Sequence, residues 1–81
     1  MKYQVVKQLK TKTKQVALLN TLDEAKNYLN NINARFESIS YYGGFPIYSI
    51  DKKQIYSIRG LAENFNIVCS LPQKDIESFG V

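Results

Sequence analysis

Apolar residues recur at spacings of three and four over residues 21–33, TLDEAKNYLNNIN, and alternate with polar ones over most of the chain. The first pattern predicts an amphipathic helix. Thr21 and Glu24 form a T-x-x-E capping box, and Asp23 and Glu24 place negative charge where the helix dipole favours it. Leu22, Ala25, Leu29 and Ile32 share one face. Asp23, Lys26, Asn27, Asn30 and Asn31 share the other, and Tyr28 flanks the apolar stripe. A helix of about three turns is marginal alone, so it must lie on something.

Strands are the candidates. Residues 2–10, KYQVVKQLK, alternate, with Tyr3, Val5 and Leu9 on one side and Gln4 and Gln8 on the other. Residues 15–19, QVALL, form a second strand. A turn at Lys12 and Thr13 would set Leu9 opposite Val16 and Val5 opposite Asn20. Leu18 would then join Tyr3, Val5, Leu9 and Val16 on one face. The hairpin leads into the capped helix as a β-β-α unit, packed under Leu22, Leu29 and Ile32.

Residues 36–42, FESISYY, and 45–50, FPIYSI, flank Gly43 and Gly44, a strong hairpin signal. A two-residue turn pairs Tyr42 with Phe45, Ile39 with Tyr48 and Glu37 with Ile50. One face then carries Ile39, Tyr41, Tyr48 and Ile50. The other carries Phe36, Tyr42, Phe45 and Ile47. A sheet with one wet face alternates more cleanly than this. The second face is therefore covered by the C-terminal segment or is a working surface. Residues 51–54 make a polar turn, and apolar alternation resumes over 55–58.

The last third reads in two ways. Residues 67–71, IVCSL, suit a short strand. Ser70 and Gln73 repeat the capping-box spacing, and a terminal helix follows over 74–79. Alternatively, residues 58–79, IRGLAENFNIVCSLPQKDIESF, resemble a helix-turn-helix. LAENFNI matches the first helix and turn, and Lys74, Asp75 and Ile76 match a basic-acidic-aliphatic triplet. The resemblance implies that Leu61, Ala62, Phe65 and Ile67 pack two helices together, with a recognition helix over 69–78. Pro72 falls inside that helix, and Val68 stands where a capping serine is usual.

These elements predict an α+β fold in one small domain, residues 1–81. A β-β-α unit precedes further antiparallel strands, one main amphipathic helix packs on the sheet, and a short helical segment ends the chain. Composition then narrows the chemistry. The chain has no histidine and one cysteine, Cys69. An internal disulfide and a Cys/His zinc site are both excluded, and the usual general base is missing. Cys69 has apolar neighbours, which suits a buried inert thiol. The lone cysteine suits a reducing, cytoplasmic setting. Met1 and Lys2 lead into strand-like alternation, so no signal peptide or membrane span is expected. No enzyme activity and no cofactor are expected.

The net charge of +4 leans toward an anionic partner, nucleic acid or an acidic protein surface. Two groups of side chains could meet it. Lys7, Lys10, Lys12 and Lys14 crowd one hairpin with Thr11 and Thr13, and both side-chain types contact phosphate oxygens. The same lysines would also serve as solvated turn residues that discourage edge pairing. Tyr42, Phe45 and Tyr56, with Arg59 and Lys53, could stack unpaired bases, anchor a protein partner, or simply be core. The expected function is a small nucleic-acid-binding or regulatory domain. The alternative is a protein-interaction module or inhibitor, of the kind mobile elements carry, that docks on a host protein through its sheet face or edge. The oligomeric state is open.

Overall fold

The structure is a computed structural model, and it describes residues 1–64 and 67–80. Strands β1 (Lys2–Gln8) and β2 (Thr13–Leu19) form the first hairpin. Residues 9–12 contain no Gly, Asn or Asp to make a tight primed turn. The chain turns at Lys10 and Thr11, two residues earlier than Lys12 and Thr13, and the Leu9 N–H donates to the Lys12 carbonyl at 2.7 Å. This moves the register by four, a bulge at Val16 takes one back, and Val5 faces Ala17 rather than Asn20, a net shift of three residues. Beyond the bulge the net shift is odd, which turns the side chains of the strand over. Ala17 and Leu19 pack on the core, while Leu18, expected there, lies on the opposite face and is 44% exposed. The bulge at Val16 adds its side chain to the core side.

Helix α1 (Leu22–Asn31) begins as its capping box specifies. Thr21 Oγ1 accepts from the Glu24 N–H, and Glu24 Oε1 accepts from the Thr21 N–H, both at 3.1 Å. The helix ends before Asn33, whose φ of 66° is a left-handed conformation that asparagine tolerates. Ala25 and Leu29 are fully buried against the sheet. Leu22 and Ile32, at the two ends, are half-buried.

Strands β3 (Arg35–Ile39) and β4 (Pro46–Ile50) make the second hairpin. Both glycines of its loop have positive φ, but the loop spans four residues, closed by the Ser40 N–H on the Phe45 carbonyl at 2.7 Å. With a further bulge at Glu37, Tyr48 faces Phe36 instead of Ile39. Phe36 thus leaves the expected Phe45–Ile47 face and joins Tyr48 on the helix side, their rings 5.8 Å apart.

Strand β5 (Gln54–Leu61) is the centre of an antiparallel sheet ordered β2-β1-β5-β4-β3. One edge of β5 pairs with β1. The other pairs with β4 and, beyond it, with the short β6 (Val68–Cys69) at Gly60 and Leu61. This pairing replaces the helix-turn-helix. Leu61 ends a strand, and the Ala62 N–H donates to the Ile67 carbonyl, where a helix interior was implied. Phe65 and Asn66, also part of that resemblance, lie outside the described residues. The strand-plus-helix alternative holds.

Helix α2 (Gln73–Glu77) follows, with Pro72 as N-cap and no side-chain cap. The expected Ser70 box does not form, because Ser70 Oγ donates to the Gly43 carbonyl at 2.7 Å. After α2, Phe79 stacks on Phe36 at 5.0 Å. Lys26 Nζ donates to Ser78 Oγ, and Tyr3 Oη to Asp75. The C-terminal segment thus shares the face that α1 covers. Neither helix covers the other face, where Val6, Ser49 and Leu61 are nonetheless buried.

Candidate nucleic-acid interface

Antiparallel pairing decides which loops share an end of the sheet. Lys7 on β1 faces Tyr56 near the start of β5. The 9–12 loop and the turn at residues 51–53 therefore lie at the same end. β3 runs against β4, so Arg35, its first residue, lies there too. α1 starts after β2 and runs back, bringing Asn33 to this end. The result is a segregation of charge along the strands. Lys7, Lys10, Lys12, Lys14, Arg35, Lys52 and Lys53 meet two carboxylates, Glu37 and Asp51. The rest of the chain carries four cations and five carboxylates. Lys52 with Glu37, at 3.7 Å, is the ion pair found among the described residues. An exposed pair of that length contributes little.

Two features of this basic end carry a local cost. Lys7 and Lys14 stand directly opposite each other on β1 and β2. Like charges in that position repel. Lys7 gains partial compensation from the Tyr56 ring, 5.9 Å away. In the turn, Asp51 and Lys52 both have positive φ, 52° and 58°. The Lys53 N–H closes it on the Ile50 carbonyl at 3.0 Å. Such turns favour Gly and Asn, and a lysine there is strained.

The loop itself is tied down. Gln8 Nε2 donates to the Leu9 carbonyl at 2.9 Å and to that of Lys12 at 3.3 Å. Lys10, Thr11 and Lys12 are thus held exposed at the apex. At the same end but toward the opposite edge of the sheet, an open groove of about 770 Å³ runs past Asn30, Asn33, Arg35, Glu37, Asp51 and Lys52. Arg35, Lys52 and Lys53 are the members that hairpin composition alone does not reveal.

The aromatic group does not come together as expected. Tyr56 is buried on the helix-facing side, 7% exposed. Arg59 lies three residues on, on the open face, with its guanidinium 5.6 Å from the Phe45 ring. Tyr42 is 82% exposed, but on the 41–44 loop at the opposite end of the sheet. Tyr41 beside it is 93% exposed, and the two rings pack edge to face. Lys53 belongs with the basic end.

Among the described residues, no group of three or more Cys, Asp or Glu side chains is placed to hold a metal ion. No helix among the described residues is long and apolar enough to cross a membrane. Cys69 is half-buried, with its thiol 3.7 Å from the Met1 sulfur. The chain matches no family model, no curated protein and no solved structure.

Proposed function

We propose that this protein binds nucleic acid through its basic end, with Lys7, Lys10, Lys12, Lys14, Arg35, Lys52 and Lys53 contacting phosphates. The observation that carries the reading is the coincidence of the cation cluster with two local costs. The opposed Lys7–Lys14 pair and the left-handed Lys52 both oppose folding, and both sit where the cations gather. Local rules are broken most often where function requires it. Phosphates would relieve the first cost on binding.

The test is retention of the full chain on a mixed-sequence oligonucleotide across a salt series. Phosphate contacts predict an affinity that falls steeply with salt, with a slope near 0.7–0.9 per contact. Changing Lys10, Lys12 and Lys14 together to Gln should flatten that slope and leave the fold intact. Affinity independent of salt, or unchanged in the triple variant, would overturn the reading.

A protein-interaction module is the second reading. The exposure of Tyr41 and Tyr42 supports it, since exposed aromatics are typical anchors of protein contacts. Stoichiometric capture of one protein, lost in the Tyr41→Ala, Tyr42→Ala variant, is its signature.

A further inference from the structure

We infer that the nucleic acid held at the basic end is double-stranded and is read through its backbone. The inference rests on the proposed function and narrows it. Single-strand binders combine a cationic track with aromatic rings on which unpaired bases stack. Here the two are separated. Tyr56, the ring beside the cations, is 7% exposed and already faces Lys7. Phe36, on the strand that Arg35 begins, is stacked on Phe79 and edge-on to Tyr48. The freely exposed pair, Tyr41 and Tyr42, lies at the far end of β3 and β4. Tyr28, toward the end of α1, is half-buried against the core, so among the described residues no ring at the basic end is fully exposed.

What this end does offer fits a duplex. Five strands at about 4.8 Å spacing make an edge roughly 19 Å wide, from β2 to β3. A duplex presents one charge per ~1.7 Å of axis, twice the density of a single strand. The cations are spread along that edge on paired strands and short turns, not along one flexible segment. The 9–12 loop closes a two-stranded ribbon, an element that a major groove admits, and Gln8 holds its shape. Lys10, Thr11 and Lys12 at its apex are phosphate-contacting side chains. All three lack the fixed planar fork of an amide or guanidinium, so any contact they make to a base edge is only weakly directional. Weak sequence preference follows.

The experiment compares the full chain on a duplex of mixed sequence and on each of its separated strands, in DNA and RNA form, at one salt concentration. The duplex should bind at least about tenfold more tightly than either strand, given a steeper electrostatic term and no compensating stacking. Scrambling its sequence should change affinity by less than about threefold, below the cost of a mismatch in a specific site. The Tyr41→Ala, Tyr42→Ala variant should bind the duplex as the parent does. Equal or tighter binding to single strands, or loss of binding in the tyrosine variant, would overturn this inference and leave the proposed function standing. Binding to neither form would overturn both.

Discussion

Tyr3 Oη donates to the Asp75 carboxylate at 2.7 Å, joining the first strand to the last helix across 72 residues of sequence. Burial pushes the Tyr3 phenol up to about 12, and the Asp75 hydrogen bond and charge add to the shift. Tyr48 moves in the same direction through burial. The fold thus favours the neutral phenols. A raised pKa contributes stability that is whole below the unfolded value, near pH 10, and is lost as pH climbs toward 12. Denaturant unfolding between about pH 8 and 12 should show that loss. Tyr3→Phe should reduce it and cost on the order of 1 kcal/mol at neutral pH. Identical pH profiles for parent and variant would show that the contact does not hold α2 in solution.

Leu29 is fully buried where α1 meets β1, β5 and the C-terminal segment. Leu29→Ala should cost about 2–5 kcal/mol. Small domains hold only about 5–15 kcal/mol in total, so the variant should unfold at much lower denaturant. Thr21→Ala removes the cap and should cost less, about 1 kcal/mol. A reversal of that order in urea melts would contradict the packing described.

Gly60 makes a prediction of a different kind. A Cβ on it would stand 2.9 Å from the Cys69 and Met1 sulfurs and 3.1 Å from the Cys69 carbonyl oxygen. The sulfurs can move aside, but the carbonyl belongs to β6. Gly60→Ala should loosen β6 from β5, cost about 1–3 kcal/mol, and speed labelling of the Cys69 thiol by a thiol reagent. In the parent, packing on Gly60 and Met1 should keep labelling slower than that of free cysteine. Equal labelling rates in parent and variant would mean that β6 does not protect the thiol.

What could be read from the chain alone was local. The Thr21 and Glu24 box needs only its own turn, and it formed as expected. Register did not come through, because Val16 and Glu37 bulge, the first turn is centred two residues early and the second one residue early. Those choices depend on how the whole sheet packs under α1. Ser70 had the spacing of a cap, yet Gly43, 27 residues earlier in the chain, takes its hydroxyl. The basic end was half legible. Lys7, Lys10, Lys12 and Lys14 are neighbours in sequence, whereas Arg35, Lys52 and Lys53 join them only through the pairing of β1 with β5. Tyr56 and Arg59 were separable in principle. They are three residues apart, and a strand's period of two puts them on opposite faces.

The two costly features of the basic end allow stability and binding to be set against each other. Lys14→Gln removes the repulsion with Lys7, and the gain should be a few tenths of a kcal/mol, about the size of a cross-strand pair. Lys52→Gly puts the preferred residue at a φ of 58°. It should gain about 1 kcal/mol, reduced by loss of the weak pair with Glu37. Each change also deletes a cation from the proposed interface. Each variant should therefore melt higher than the parent at low salt, bind duplex more weakly, and lose close to 0.9 from the salt slope. Lys74→Gln, on α2 and away from the basic end, should alter neither property. Repulsion is screened by added salt, so the advantage of Lys14→Gln should shrink at high ionic strength while that of Lys52→Gly persists. Opposite movements of melting temperature and affinity identify residues kept for binding at the expense of the fold. Variants that melt higher and bind as well as the parent would show that Lys14 and Lys52 serve neither purpose, and that the binding surface lies elsewhere.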